Sequence, residues 1–200
     1  MTDQAPIVSP SLVARVKGII LRPNPEWDII DREPATVRGL FTGYAMILAA
    51  IGPLAGLIGG IVFNHSVVGS LIAAIVQYVL SLVGIFLLSI VIDALAPSFG
   101  GTPNRIQATK VAVYSWTASW LAGVFAIVPA IAFLSILGLY SLYLLFLGLP
   151  KLMRAPQDKA LVYTIVVVVI AIVIWIVIGA ITGAVLGAFL LAGAAATGGL

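Results

Sequence analysis

The stretch Asp93-Ala94-Leu95-Ala96-Pro97-Ser98-Phe99-Gly100-Gly101-Thr102-Pro103-Asn104-Arg105 decides how this chain is read. Before it runs a long apolar block that begins at Val67. After it, Lys110 and Tyr114 lead into another. Asp93 is the only ionised residue inside any of the long apolar blocks. A charge at membrane depth is costly, so it marks either a functional site or an interface carboxylate with a cationic partner. The short polar connection predicts two membrane-length helices joined at one bilayer face. Asp93 is expected to pair there with Arg105 or Lys110. Lys110 and Tyr114, one helical turn apart on one face, are its best-placed partners.

Composition sets the class. The 200 residues are 62% hydrophobic and 8% charged, with mean hydropathy +1.22, whereas soluble domains carry about 25% charged residues. The chain is therefore expected to be an all-α, polytopic membrane helix bundle. Its net charge of +3 is small and dispersed, which excludes nucleic acid as a partner. There is no cysteine, hence no disulfide, thiolate metal site or thiol nucleophile. His65 is the only histidine, and a metal site needs several ligands. It is read as a solvated residue of the Asn64-His65-Ser66 turn, and no metal or cofactor is expected. The first 38 residues lack an apolar core after a basic start, so no cleavable signal is expected.

Met1 to Pro10 reads as disordered. Leu12, Val16, Ile19 and Ile20 then share a helical face, with Arg15 and Lys17 elsewhere, Pro10 first and Ser9 as cap. Such a short basic helix lies in the headgroup region or packs on the protein's own membrane domain. Arg22-Pro23 stops it. Asn24-Pro25-Glu26-Trp27 starts a second short helix, with Asn24 as cap and Trp27 as interface anchor. Arg15 is one of five amino-terminal bases, so its loss alone is expected to matter little.

Five spans follow, at Leu40 to Phe63, Val67 to Ala96, Val111 to Val128, Ala130 to Leu149, and from Ala160 onward. Pro53 should kink the first. Gly52, Gly56 and Gly60 in the first span, and Gly179, Gly183 and Gly187 in the fifth, are small-xxx-small repeats expected to be packing faces. Ser70, Gln77, Ser81 and Gly84 form a polar stripe on the second, for packing or for a polar path. The uncharged run after Ala160 is twice the length of one span. It reads as one long helix, with a broken or re-entrant sixth segment as the alternative. Segments 1–38, 39–191 and 192–200 read as a cytoplasmic amino-terminal part with short amphipathic helices, a five-helix membrane domain and a flexible tail.

Charge orients the bundle. With the amino terminus in the cytoplasm, all ten basic residues fall inside, from Arg15 through Arg105 and Lys110 to Lys151, Arg154 and Lys159. Tyr44, Tyr114, Trp116, Trp120, Tyr140, Tyr143 and Tyr163 crowd the same half. Asp93, Arg105, Lys110, Tyr114, Tyr140 and Tyr163 are thus the candidate polar cluster on the cytoplasmic side.

Arg22-Pro23-Asn24-Pro25-Glu26-Trp27, Gly100-Gly101 into the third span, and Tyr140-Ser141-Leu142-Tyr143 continuing through Gly148-Leu149-Pro150-Lys151-Leu152-Met153 to Lys159-Ala160 carry a resemblance. They span about residues 10 to 180. On these the chain resembles the Yip-one domain family of Ypt/Rab-interacting membrane proteins, in its bacterial branch. The resemblance implies a cytoplasmic amino terminus, five spans and a bacterial inner membrane location. Eukaryotic relatives bind small GTPases. Their Asp-Leu-aromatic-Gly-Pro motif is echoed by Asp93-Ala94-Leu95-Ala96-Pro97, with Ala96 where Gly belongs, so GTPase binding is not carried over.

The expected function is a non-enzymatic membrane scaffold or adaptor that organises the bilayer or an unidentified protein partner, in contact with membrane lipids and as a homo-oligomer. The alternative is a small oligomeric transporter or channel with a polar path near Asp93 and Gln77. There is no His-Glu-x-x-His, Gly-x-Ser-x-Gly or membrane-embedded acid pair to support catalysis.

Overall fold

The computed structural model describes residues 10–64 and 67–197, all-helical with connecting turns among those residues. The expectations for Ser9 and for His65 and its turn fall outside them. So does the disorder expected for Met1 to Pro10, except at Pro10. Two short helices, α1 (Leu12–Leu21) and α2 (Pro23–Arg32), precede the apolar elements. Four helices are long and apolar enough to cross a membrane: α3 (Val37–Phe63), α4 (Val67–Phe99), α7 (Pro129–Leu152) and α8 (Gln157–Thr197). Between α4 and α7 lie α5 (Arg105–Ser115) and α6 (Thr117–Ala122), prolonged by a 3-10 segment, Gly123–Ile127. The third expected span is thus a broken rod. It is interrupted at Trp116 and tightens from Gly123, and its pieces are individually too short to count as a spanning helix.

Local chemistry sets the boundaries. Ser11 caps α1 by accepting from the Ala14 N–H, and Pro23 opens α2, its missing N–H being free at a first helical position. Both helices start two or fewer residues away from the expected Pro10 and Pro25. Asn104 caps α5 by accepting from Ile106 and Gln107 N–H, each at 3.1 Å. Pro53 gives no N–H to the Ala49 carbonyl, and α3 is interrupted at Ala50, one turn upstream. Past Gln157 the helix continues without interruption to Thr197, so no broken or re-entrant sixth segment forms. In lipid every backbone polar group must be satisfied internally. That requirement holds the Val- and Ile-rich α8 helical against its propensity.

The expected glycine faces are only partly used. A Cβ on Gly123 would lie 2.8 Å from the Gly52 Cα, and one on Gly59, outside the predicted stripe, 2.6 Å from the Ile127 carbonyl oxygen. These contacts lay α3 directly on the 3-10 segment. Gly60 is crowded by Ser70 across the α3–α4 hairpin, but Gly56 has nothing within 4 Å. Gly179, Gly183 and Gly187 also face open space, so they are no packing face within this chain. Instead α8 sets Ile178 and Ile174 against Gly84 of α4. It is also joined by the Tyr163 hydroxyl donating to the Ile92 carbonyl, and by Tyr163 stacking on Phe99, 4.8 Å between centroids.

The amino-terminal pair is part of the core. Ile19, Trp27 and Ile30 are fully buried. Trp27 is therefore not an anchor facing the headgroups. Its ring lies over Gly148 of α7, where a Cβ would come 2.5 Å from Cζ2. Of the two placements open to α1, the structure shows the one packed on the protein's own helices. The Gly100 φ of 74° turns the chain after α4, and the Thr102 N–H reaches the Met153 carbonyl at 2.7 Å, tying the α4–α5 connection to the end of α7.

Gly148→Leu should push Trp27 off α7, with an overpacking cost of about 1–3 kcal/mol, whereas Gly183→Leu should leave stability unchanged. Thermal midpoints in detergent, followed by size-exclusion monomer recovery, check both. Equal midpoints for the two variants would contradict this packing.

Candidate functional site

Arg15 occupies the buried face of α1, one turn before Ile19, and is 3% exposed. Glu26 comes from the first turn of α2 and Glu33 from just beyond its end. The Arg15 guanidinium pairs through Nη1 with Glu26 and through Nη2 with Glu33. It also lies 5.5 Å from the centre of the Tyr114 ring on α5. Gly18 makes this possible: the Glu26 carboxylate crosses where any Cβ at position 18 would stand. Burial alone would lower the Arg15 pKa. The hydrogen bond and charge of Glu33, with Tyr114 and Glu26, outweigh it and hold the guanidinium above its ordinary range.

Lys110 of α5 completes the cluster. Its ammonium donates to the Ile30 and Glu33 carbonyls at 2.7 and 2.6 Å and more weakly to that of Asp31. A cation thus closes the carboxy-terminal end of α2, where the helix dipole is negative. Burial pushes the Lys110 pKa down, opposed by Asp31 and Glu33. Two bases and two acids bring the buried charge to zero. Beyond them Tyr114 meets Tyr44 edge to face at 4.8 Å, and the Tyr44 hydroxyl bonds Thr117 at 2.8 Å. A cavity of about 490 Å³ opens beside Arg15, Glu33, Lys110, Tyr44 and Tyr114.

An outer ring fastens the same pair of helices to α5 and to α7 with the turn that follows it. Lys151 pairs with Asp28 at 2.7 Å and Arg154 with Asp31 at 2.9 Å. The Gln107 amide donates to the Asp31 carboxylate and carbonyl, and the Tyr140 hydroxyl to the Ile20 carbonyl at 3.1 Å.

The cluster expected around Asp93 is therefore divided. Lys110 and Tyr114 serve Arg15 and α2, not Asp93. Arg105 lies over the Phe86 ring, 5.6 Å from its centre. Tyr163 bonds the carbonyl of Ile92, next to Asp93, and Tyr140 bonds α1. Asp93 makes no ion pair among the described residues, and its buried Oδ1 has no hydrogen-bond partner there. Gln77 and Ser81 line a second cavity at membrane depth, while Ser70 and Gly84 of the same stripe are packed away. The residues missed were Arg15, Glu26, Asp31, Glu33, Tyr44 and Thr117. One signal was available: of seven acids in the chain, Glu26, Asp28, Asp31 and Glu33 fall within one short segment. So many acids in so apolar a chain call for as many bases. Among the described residues no group of three or more metal-ligating side chains occurs.

The model of the Yip1 domain matches residues 17–178, from within α1 to deep in α8. The chain belongs to the Yip1 domain family. It is 25% identical over 166 residues to the inner membrane protein YohC of Escherichia coli K12, covering 76% of this chain and 85% of YohC, and equally so to YohC of E. coli O6:H1. No solved structure matches it. The matched region holds Glu26, Glu33 and Lys110, whereas Arg15 lies just before it. It takes in the aromatic and basic stretch of α7 on which the Yip1-type resemblance rested.

Arg15→Gln should strand Glu26 and Glu33 in a buried site and destabilise the fold by about 3–5 kcal/mol, contrary to the small effect expected from sequence. Arg15→Gln combined with Glu26→Gln and Glu33→Gln should recover much of that loss, and Lys17→Gln, on the exposed side, should cost nothing. Detergent unfolding of the four proteins decides. A tolerated single Arg15→Gln would show that the cluster does not hold the helices.

Proposed function

We propose that this Yip-family protein is a non-enzymatic scaffold of the bacterial inner membrane, with α1 and α2 as a fixed docking plate on its cytoplasmic side. One observation carries the reading. The plate is held rigidly from below by buried ion pairs, yet its outer face exposes Val13, Leu21 and Ile29 at 57%, 73% and 48%, beside the exposed Lys17, Arg22 and Arg32. A mixed apolar and basic face on a pre-ordered element suits docking to a protein partner at the membrane surface, since no ordering entropy is lost on binding. The inner membrane assignment follows from the similarity to YohC.

Topology supports the same picture. Ion pairs and hydrogen bonds gather the amino-terminal helices, Lys110, Lys151 and Arg154 together. If Lys110 and Lys151 share one membrane face, the chain between them crosses an even number of times. Pro129–Leu152 is long enough for one crossing, which leaves α5, α6 and the 3-10 segment to make the other. With that crossing the chain would span five times and keep all ten bases on one face, which the positive-inside rule assigns to the cytoplasm together with the amino terminus. A small oligomeric transporter is the second reading, favoured by the unpartnered Asp93 Oδ1.

A photocrosslinking residue at Leu21 should give discrete protein adducts in intact cells, and Leu21→Glu should abolish partner co-purification without lowering the thermal midpoint. Single cysteines at Arg154 and Leu21 should both resist impermeant maleimide added from outside. External labelling at either site would overturn the topology. Adducts to lipid alone, with Asp93→Asn abolishing ion flux in liposomes, would favour transport over the scaffold.

A further inference from the structure

Arg38 and Arg105 are exposed. Neither pairs with a carboxylate among the described residues, where the ion pairs are made by Arg15, Lys151 and Arg154. The two arginines flank one pair of rings. The Arg105 guanidinium lies 5.6 Å from the centre of Phe86 on α4. Phe86 in turn meets Phe41 of α3 edge to face, 6.1 Å between centroids. Arg38 stands one helical turn before Phe41 on the neighbouring strip of α3. The turn that carries Phe41 is unusual: Phe41–Ala45 is π-helical, with the Met46 N–H bonded to the Phe41 carbonyl. Such turns inside helices occur mostly at functional sites.

Helix length sets the depth of these rings. Counted from Val67, the first residue of α4, Phe86 lies about 28 Å along the axis at 1.5 Å per residue. The hydrocarbon core is about 30 Å thick. The rings therefore stand at its boundary on the basic side of the molecule, with the two guanidinium groups at the level of lipid phosphates. Toward the bilayer centre the surface is apolar. Met46 and Val79 are exposed there, and the Tyr78 hydroxyl closes α3 on α4 by donating to the Met46 carbonyl at 3.0 Å. Asp93 shares the Phe86 edge of α4 but lies two turns on, about 10 Å further from the bilayer centre.

We infer that this edge between α3, α4 and α5 binds an anionic phospholipid, its phosphate held by Arg38 and Arg105 and an acyl chain lying along Met46 and Val79. Guanidinium groups take phosphate oxygens through paired hydrogen bonds. A ring face fixes the cation without neutralising it, so Arg105 is pre-positioned and still charged. Two unpaired cations call for net negative charge, and a zwitterionic lipid brings its own ammonium to the same place. The inference goes beyond the scaffold reading and shares no residue with the outer face of α1 and α2.

Phosphatidylglycerol and phosphatidylcholine, each titrated into the detergent-solubilised protein and counted by native mass spectrometry, test it. Phosphatidylglycerol should saturate at one tightly held molecule, with a Kd at least tenfold below that of phosphatidylcholine. Arg38→Gln combined with Arg105→Gln should bring the two Kd values together. Phe86→Leu, which keeps both charges but takes the ring from under Arg105, should raise the phosphatidylglycerol Kd several-fold. Lys17→Gln combined with Arg32→Gln removes as much charge elsewhere and should leave that Kd unchanged. Equal affinities for the two lipids in the wild-type protein would overturn the proposal. So would an equal effect of the two double variants, which is the mark of diffuse charge attraction. A phosphatidylglycerol with a photoreactive acyl chain should label α3 or α4 of the wild-type protein, and labelling confined to other helices would overturn it as well.

Discussion

Everything at the basic end of this molecule depends on one guanidinium placed between two carboxylates. Arg15, Glu26 and Glu33 come from three successive points on a short hairpin. Removing three charges from water would be costly in isolation. The cost is contained because Lys110 brings the buried sum to zero and draws on the carbonyls that the end of α2 leaves free. The cluster therefore does two things at once. It closes the α1–α2 hairpin on itself and it binds that hairpin to α5.

The fold has two unlike halves as a result. At the basic end, charge pairs and buried aromatic rings fix the amino-terminal helices, α5 and the carboxy-terminal part of α7 relative to one another. Away from it, contacts are between small residues and aliphatic side chains, such as Gly52 on Gly123 and Ile178 on Gly84. These allow close approach without directional bonds. Specificity is concentrated in the first half, and the second half retains room between its helices.

The sequence displayed the architecture and concealed the pairings. Apolar block lengths gave the four long helices because lipid leaves a spanning backbone no alternative to the helix. The all-α class followed from composition. The partners of Arg15, Lys110 and Tyr114 were not legible, because each lies across the fold. Asp93 drew attention as the lone acid in an apolar block, but proximity in sequence to Arg105 and Lys110 did not become contact: Lys110 reaches the end of α2, and Arg105 lies over Phe86, seven positions before Asp93 on α4. Trp27 has the composition of an interface residue, and only the bare backbone at Gly148 explains its burial. Glycine spacing identified surfaces that permit close approach. In α8 no other part of this chain takes up that permission at Gly179, Gly183 and Gly187. The third span was visible as an apolar run, but not its break at Trp116, which periodicity does not encode.

The seat of Trp27 on Gly148 also imposes an order on biogenesis. The amino-terminal hairpin is made first, yet the bare backbone it rests on and the tyrosine that bonds Ile20, 120 positions further on, are made late. At about 5–20 residues per second, the ribosome needs on the order of ten seconds to bring them out. Through that interval α1 and α2 lack their floor, and until Lys110 emerges they lack its ammonium as well, so their apolar faces are open to chaperones or the lipid surface. Helices α3 and α4 enter the bilayer without them. The hairpin can take its seat on the bundle only once α7 is made, so its docking reports that α7 is in place.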